Sequence, residues 1–247
     1  MTTVDRALGI LELFSGNQPE WTVEAAAQTL GLSQSTAYQY FRSLVESGLL
    51  STYKTGRYVI GPAIIELDRQ ARQHDPLIRA ARDSMSALGA MLRGDDVVLL
   101  CRLYKFTVMC VDQRAPHAPR QQVSYERGRP MPLGRGAASK VILANLPPRV
   151  LRRYYERTYP DTLNPSWAEF RKPLREIRKA KFCITYGELD RGRVGISAPI
   201  FSEGEIVGSI GLVLSESPSD GGELDANTRN RVLEAGLQVS EALDALL

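Results

Sequence analysis

Histidine is almost missing from this chain. Only His74 and His117 occur among 247 residues, and neither stands at a metal-ligand spacing from cysteines or carboxylates. A histidine-based metal site or catalytic triad therefore has no support in the sequence. Cysteine is scarce as well. Cys101, Cys110 and Cys183 cannot all pair and sit in apolar surroundings, which reads as reduced core residues rather than a disulfide framework. No apolar run approaches the ~18 residues of a membrane helix, and the run from Ile206 to Leu214 is broken by glycines. The N-terminus lacks a basic-then-apolar leader, so a cytoplasmic protein with no membrane partner is expected. Neither charge sign dominates: 31 Lys and Arg against 28 Asp and Glu give a net charge of +3, too small to mark a nucleic-acid binder. No cysteine or serine stands in a nucleophile motif, and Gly134–Ser139 (GRGAAS) lacks the Lys-Ser/Thr ending of a phosphate loop. No cofactor is expected, and a catalytic reading is weak.

What is present is organised around Thr22 to Leu44. Val23, Ala26, Ala27 and Leu30 recur at helical spacing before Gly31-Leu32 breaks the run. Ser33 is a natural N-cap for a second helix whose inward stripe is Ala37, Phe41, Leu44 and Val45. Ser35, Tyr38, Gln39 and Arg42 share its opposite face, and together with Gln34 and Thr36 they are the candidate base-reading residues. An ordinary helical hairpin with a polar outer face accounts for these residues equally well. The next segment tips the balance. Gly48 is placed to end the helix in a left-handed conformation. Leu49–Tyr53 and Tyr58–Ile60 then read as strands around a Lys54–Arg57 turn. Two helices followed by a hairpin with Lys54 and Arg57 at its tip form a winged helix-turn-helix, whose wing cations reach the phosphate backbone.

VDRALGILELF (Val4–Phe14), LGLSQSTAYQYFRSLVESGLL (Leu30–Leu50) and GRYVIGPAIIEL (Gly56–Leu67) resemble the isocitrate lyase regulator (IclR) family of bacterial transcription factors. The resemblance continues through PLGRGAASKVILANLP (Pro132–Pro147) and GELDRGRVGISAPIFSEGEIVGSIGLVL (Gly187–Leu214) and covers nearly the whole chain in order. It implies an α+β protein: a winged helix-turn-helix over 1–61, a linker helix over 62–76, and a GAF/PAS-like effector domain over 77–247 with an antiparallel sheet flanked by helices. It also implies a homodimer or dimer of dimers on double-stranded operator DNA. A small-molecule-metabolising enzyme, or an orphan ligand-binding domain carrying a helix-turn-helix, is the alternative.

The DNA-binding segment is not basic overall. Arg6, Arg42, Lys54 and Arg57 are outnumbered by Asp5, Glu12, Glu20, Glu24 and Glu46, and relatives often carry Lys or Arg where this chain has Gln34 and Gln39. Affinity per monomer is therefore expected to be modest, which makes dimerisation more important.

Ahead of the helix-turn-helix, Val4, Ala7, Leu8, Leu11 and Phe14 read as the buried stripe of a first helix, and Trp21 as a packing anchor. Past the wing, helices are expected over Ala63–Gln73 and Leu77–Leu92. The resemblance also gives the first of these a share of the dimer interface. A hairpin is expected from Asp96–Cys101 and Phe106–Gln113 around a glycine-less Arg102–Lys105 turn, with a short strand at Gln121–Tyr125. Helices follow over Gly136–Leu146, from Pro147-Pro148 to about Thr158, and from Asn164-Pro165 with a break or kink at Pro173. Ile184, Val194–Ile200 and Ile206–Leu214 read as strands, and an amphipathic helix from about Asp225 ends the chain. Basic residues crowd Arg149 to Lys181, which reads as a solvated helical face more readily than as a second DNA surface or an acidic partner's site.

The resemblance places an effector among Val123, Gly136, Ala137, Ala138, Thr185, Gly195, Gly211 and Val213. Relatives that bind small keto acids carry Asp, Cys and Ser at the matches of Thr185, Gly195, Gly211 and Val213, so this chain expects a bulkier, less polar ligand. Pro132–Gly136 leads straight into a helix start, where free N–H groups and the helix dipole favour an anion. Arg135 stands beside it, and Val123, Ile196 and Val213 are the expected apolar walls. The expected partner is a small organic acid, aromatic or medium-length.

Overall fold

The computed structural model describes residues 2–117, 123–160, 165–215 and 224–247. The chain divides into two compact units, Met1–His74 and Asp75–Leu247.

The first unit contains α1 (Thr3–Leu11), α2 (Val23–Leu30), α3 (Gln34–Glu46), β1 (Leu50–Lys54), β2 (Arg57–Ile60) and α4 (Ala63–His74). Each of the first three helices starts on a side-chain cap: Thr2, Thr22 and Ser33 accept backbone N–H groups at the third helical residue. Gly31 and Gly48 take φ +64° and +72°, ending α2 and following α3 as expected. The core is Val23, Ala26, Ala27, Ala37, Phe41, Leu44 and Leu50, with the Phe41 ring edge-on to Tyr58 at 4.7 Å. Trp21 anchors this packing. Its backbone pairs with Tyr58 on the wing, and its indole N–H donates to the Leu13 carbonyl at 3.0 Å. The wing is an antiparallel pair turning at Thr55-Gly56, so Lys54 and Arg57 face each other in register beside the tip.

The expected stripe of the first helix is corrected. Val4 and Leu8 are 64% and 52% exposed, while Ile10 is fully buried. The helix stops at Leu11, so Phe14 lies beyond it and the 3.6-residue period does not carry through.

The second unit is a mixed helix and sheet layer structure. Its helices are α5 (Pro76–Ala80), α6 (Arg82–Gly89), α7 (Ala137–Asn145), α8 (Pro148–Thr158), α9 (Trp167–Ala180) and α10 (Ala226–Asp244). Its strands are β3 (Val97–Tyr104), β4 (Thr107–Arg114), β5 (Pro130–Pro132), β6 (Cys183–Tyr186), β7 (Arg193–Ser202) and β8 (Glu205–Ser215). They form an antiparallel sheet ordered β5-β4-β3-β8-β7-β6. Alternation along the strands sorts two cores. Val97, Leu99 and Cys101 face Val141 and Ile142 of α7. Val98, Leu100, Ile196, Ala198 and Ile210 face Leu77 and Met85 of α5 and α6 and Val232 and Val239 of α10.

Four local expectations change. The β3–β4 hairpin turns at Lys105-Phe106 rather than at Arg102–Lys105, and Lys105 itself takes the left-handed φ of +54° in the absence of glycine. The Leu77–Leu92 helix is two short helices meeting at Ala81. Of the Gln121–Tyr125 strand, Gln121 and Gln122 lie outside the described residues, and Val123–Tyr125 is irregular chain; the nearby strand is β5 instead. Asn164 also lies outside the described residues, while α9 starts on a Ser166–Glu169 capping box and continues through Pro173 without a break.

Candidate functional site

The exposed side chains of α3 include Gln34, Ser35, Tyr38, Gln39 and Arg42, and Tyr38 keeps 59% of its surface. They lie opposite Ala37, Phe41 and Leu44, which are buried. Thr36 is half-buried and tied to the cap: Ser33 Oγ accepts its N–H at 3.2 Å and lies 2.8 Å from its hydroxyl. Two of the three candidate cations already have acidic partners. Arg42 Nε donates to Glu46 Oε1 at 2.8 Å, and Arg57 donates to Glu20 Oε2 at 3.2 Å. Lys54 has no such pair among the described residues. These exposed pairs are held weakly in water, so a phosphate can displace the carboxylate.

In the second unit, α7 points its N-terminus at a small, partly open cavity against β7 and β8. Gly136, Ala137, Ala138, Thr185, Gly195 and Val213, all expected ligand residues, line it together. Gly195 permits this convergence: a Cβ there would lie 3.1 Å from Thr185 Oγ1 and 3.5 Å from Ala137 Cβ. Four expected residues stand elsewhere. Ile196 is corrected outright, because strand alternation turns it into the opposite core while Gly195 and Ser197 face the cavity. Gly211 is packed against its neighbour strand, where a Cβ would fall 2.1 Å from the Ile196 carbonyl oxygen. Arg135 is exposed and donates to the Glu188 carbonyl at 2.8 Å. Val123 is buried in the α7-side core but is not a wall of the cavity.

Sequence reasoning missed the residue that dominates this space. Tyr125 is buried, and its hydroxyl accepts the N–H of Ser139 at 3.0 Å, the third residue of α7. The same oxygen lies 2.6 Å from Ser139 Oγ and donates to the Arg135 carbonyl at 3.1 Å. A phenol from another segment thus fills the N-cap role that Gly136 cannot. Burial first, then the charge environment, pushes its pKa well above the ordinary tyrosine value, so it acts as a neutral cap. Gly136, at φ +80°, lets Tyr125 and Leu189 close over the helix start; a Cβ there would meet Leu189 Cδ1 at 2.5 Å and Tyr125 Cε2 at 2.9 Å. The remaining space is about 30 Å³, room for one water molecule. A buried serine on an apolar helix, Ser139, was the one signal in the sequence that a polar partner must come from elsewhere.

The charges around the cavity are paired. Lys140 Nζ lies 2.7 Å from Glu188 Oε1, and Asp190 accepts both the N–H and the hydroxyl of Ser124. Arg193 donates to the Asp95 carbonyl and to Ser215 Oγ, both at 2.9 Å. Burial pushes the Cys183 thiol up to about 11, and Cys101 is raised through its hydrogen bond to Cys110 and by burial, so both stay protonated rather than becoming nucleophiles.

Two family patterns match the chain. The IclR helix-turn-helix domain matches residues 3–52, and the bacterial transcriptional regulator IclR C-terminal domain matches residues 70–241. The HTH-type transcriptional regulators XynR of Escherichia coli (strain K12) and KipR of Bacillus subtilis (strain 168) are each 24% identical, over 98% of this chain and 96% of their own. Among solved structures, an IclR homolog from Microbacterium hydrocarbonoxydans complexed with 4-hydroxybenzoate shares 20% identity at a TM-score of 0.75, covering 99% of this chain and 100% of that one. An IclR family transcriptional regulator from Brucella abortus shares 19% at a TM-score of 0.78, covering 98% and 92%. These structural likenesses bear on the α+β fold, whereas the two matched patterns span both units; the chain belongs to the IclR family of bacterial transcriptional regulators.

Proposed function

We propose that this chain is a ligand-responsive regulator that reads operator DNA through α3 and the wing, and senses an organic carboxylate in its C-terminal unit. Residues 1–61 bind DNA, 62–76 join, and 77–247 sense. The observation that carries the DNA reading is the exposed row Ser35, Tyr38, Gln39 and Arg42, opposite a buried stripe and next to a two-stranded wing. Gln34 extends this row, Thr36 holds the helix start, and Lys54 and Arg57 meet phosphates. In a gel shift against the DNA upstream of its own gene, Arg42→Ala is expected to weaken binding at least tenfold while thermal stability stays unchanged. Removing Lys54 or Arg57 instead weakens binding on all sequences alike and flattens the salt dependence by about one unit of slope per contact. Unchanged affinity in a folded Arg42→Ala protein would remove α3 from the interface.

A dimer is supported by apolar surface on the first unit. Val4 and Leu8 on α1 are exposed, and Ile65 and Leu67 on α4 are 74% and 57% exposed, which leaves apolar side chains free for a partner copy to cover.

The effector reading rests on the α7 N-terminus opening on the cavity. A carboxylate oxygen fits where Tyr125 Oη now accepts from Ser139, with Val213 and Leu99 beneath its apolar body. Because the cavity holds about one water, an acid enters as Tyr125 and Leu189 swing aside, which couples occupancy to movement of the segments that carry them. The neighbour complexed with 4-hydroxybenzoate favours the aromatic acids within this class. Calorimetric titration with benzoate-like acids, their amides and neutral sugars tests the idea. Tyr125→Phe leaves Ser139 N–H in need of an acceptor and is expected to tighten acid binding severalfold. Equal affinity of amides and acids would eliminate the anion site.

A further inference from the structure

We propose that the cleft between α8 and α9 is a second ligand site, separate from the cavity at α7, for a small organic anion with a compact apolar body. The cleft encloses about 120 Å³ and its walls are aliphatic, formed by Leu146, Pro148, Leu151 and Leu174 with Trp167 at one side. Its rim is cationic. Arg171, Arg175 and Arg178 stand at i, i+4 and i+7 along α9, all on the side that faces the cleft.

On α8, Arg152 is neutralised one turn away by Glu156 at 2.7 Å; on α9, three cations gather on one side of an apolar cleft. Arg171, Arg175 and Arg178 have no carboxylate partner among the described residues, and like charges at these spacings repel along the helix. The acids of α9 are committed elsewhere: Glu169 closes the capping box with Ser166, and Glu176 lines a different groove. The start of α8 adds to the same field, since its N-cap is Pro147 and no side chain caps its first turn. An anion in the cleft relieves the repulsion, and guanidinium groups hold carboxylate or phosphate heads by paired N–H bonds. The enclosed aliphatic walls are superfluous for a nucleic-acid or protein surface, whose phosphates or carboxylates would sit on the rim. They suit an apolar body that follows its anionic head inward.

Trp167 supplies the readout. The guanidinium carbons of Arg152 and Arg171 lie 5.0 and 5.2 Å from its ring centroid, so an arriving charge alters the field at the indole. The chain has two tryptophans, so Trp21→Phe leaves Trp167 as the sole tryptophan, read by excitation at the red edge where the ten tyrosines do not absorb. The full-length Trp21→Phe protein is titrated with cyclohexanecarboxylate, cyclohexanecarboxamide and sodium sulfate at constant ionic strength. The proposal expects a saturable change in Trp167 emission with the carboxylate, at least tenfold weaker with the amide and with sulfate. Adding Arg175→Ala and Arg178→Ala, both exposed positions that leave the helix intact, is expected to weaken the carboxylate response at least tenfold. Four results overturn it: no saturable change, equal response to the amide, equal response to sulfate, or an unaltered titration in the double arginine variant, which would put the carboxylate elsewhere.

Discussion

Gly211→Ala is expected to lower the melting temperature of the C-terminal unit by about 6–12 °C, corresponding to about 3 kcal/mol of overpacking. Gly211 sits on β8 between two neighbours, in register with Ser197 on β7 and Leu99 on β3. A methyl group there would fall 2.1 Å from the Ile196 carbonyl oxygen, 2.2 Å from Ser197 Oγ and 2.7 Å from Ser197 Cα. Ser197 Oγ can rotate away, but the other two atoms belong to the backbone, so the strands must part. β8 lies at the centre of the sheet between β3 and β7, and β7 and β8 carry one wall of the α7 cavity, so the loss spreads to the candidate site. Gly9→Ala is the control. No atom lies within 4 Å of its missing Cβ, and the residue is inside α1. Replacing a helical glycine there is expected to stabilise by about 0.5–1 kcal/mol. Thermal melts followed by circular dichroism separate the two outcomes, and a Gly211→Ala protein melting with the parent would mean that β7 and β8 tolerate a separation the structure does not show.

The contrast between these glycines also shows what the sequence makes legible. Helix starts are short-range chemistry: Ser33 and Gly48 announce the ends of α3 because the residues that satisfy the backbone lie within a few positions. The α7 cap is long-range. Tyr125 reaches Ser139 from fourteen positions away, across β5 and its flanking loops, and no periodicity carries that information. Ile196 failed for a different reason. Its apolar character fits either face of β7, and alternation from Gly195 to Ser197 was the better guide. The stripe of α1 failed because apolar character alone does not say whether the chain covers a residue, and Val4 and Leu8 stay exposed. Cavity size was misjudged too: small residues at Gly195 and Gly211 promised room, but Tyr125 and Leu189 occupy it.

Phe41→Ala is expected to abolish operator binding at every salt concentration while the C-terminal unit stays folded. Phe41 is fully buried at the centre of the first unit, its ring edge-on to Tyr58 with centroids 4.7 Å apart. Truncating a buried phenylalanine costs about 3–5 kcal/mol, from lost apolar contact and the cavity left behind. A unit of this size seldom has more than about 3–5 kcal/mol in hand, so the substitution unfolds it. The mechanism differs from that of Arg42→Ala, which removes a contact from an intact α3. Loss of Phe41 removes α3 itself, along with the Trp21–Tyr58 pairing that joins the wing to the helices. Asp75–Leu247 has its own sheet and two cores, none of which includes residues of the first unit. Calorimetry should therefore lose the transition of the first unit and keep that of the second, and acid binding at the α7 cavity should persist. If both transitions vanish together, the units fold as one. If Phe41→Ala loses the first transition yet retains operator affinity, DNA is read by a surface other than α3, because no helix remains to enter the groove.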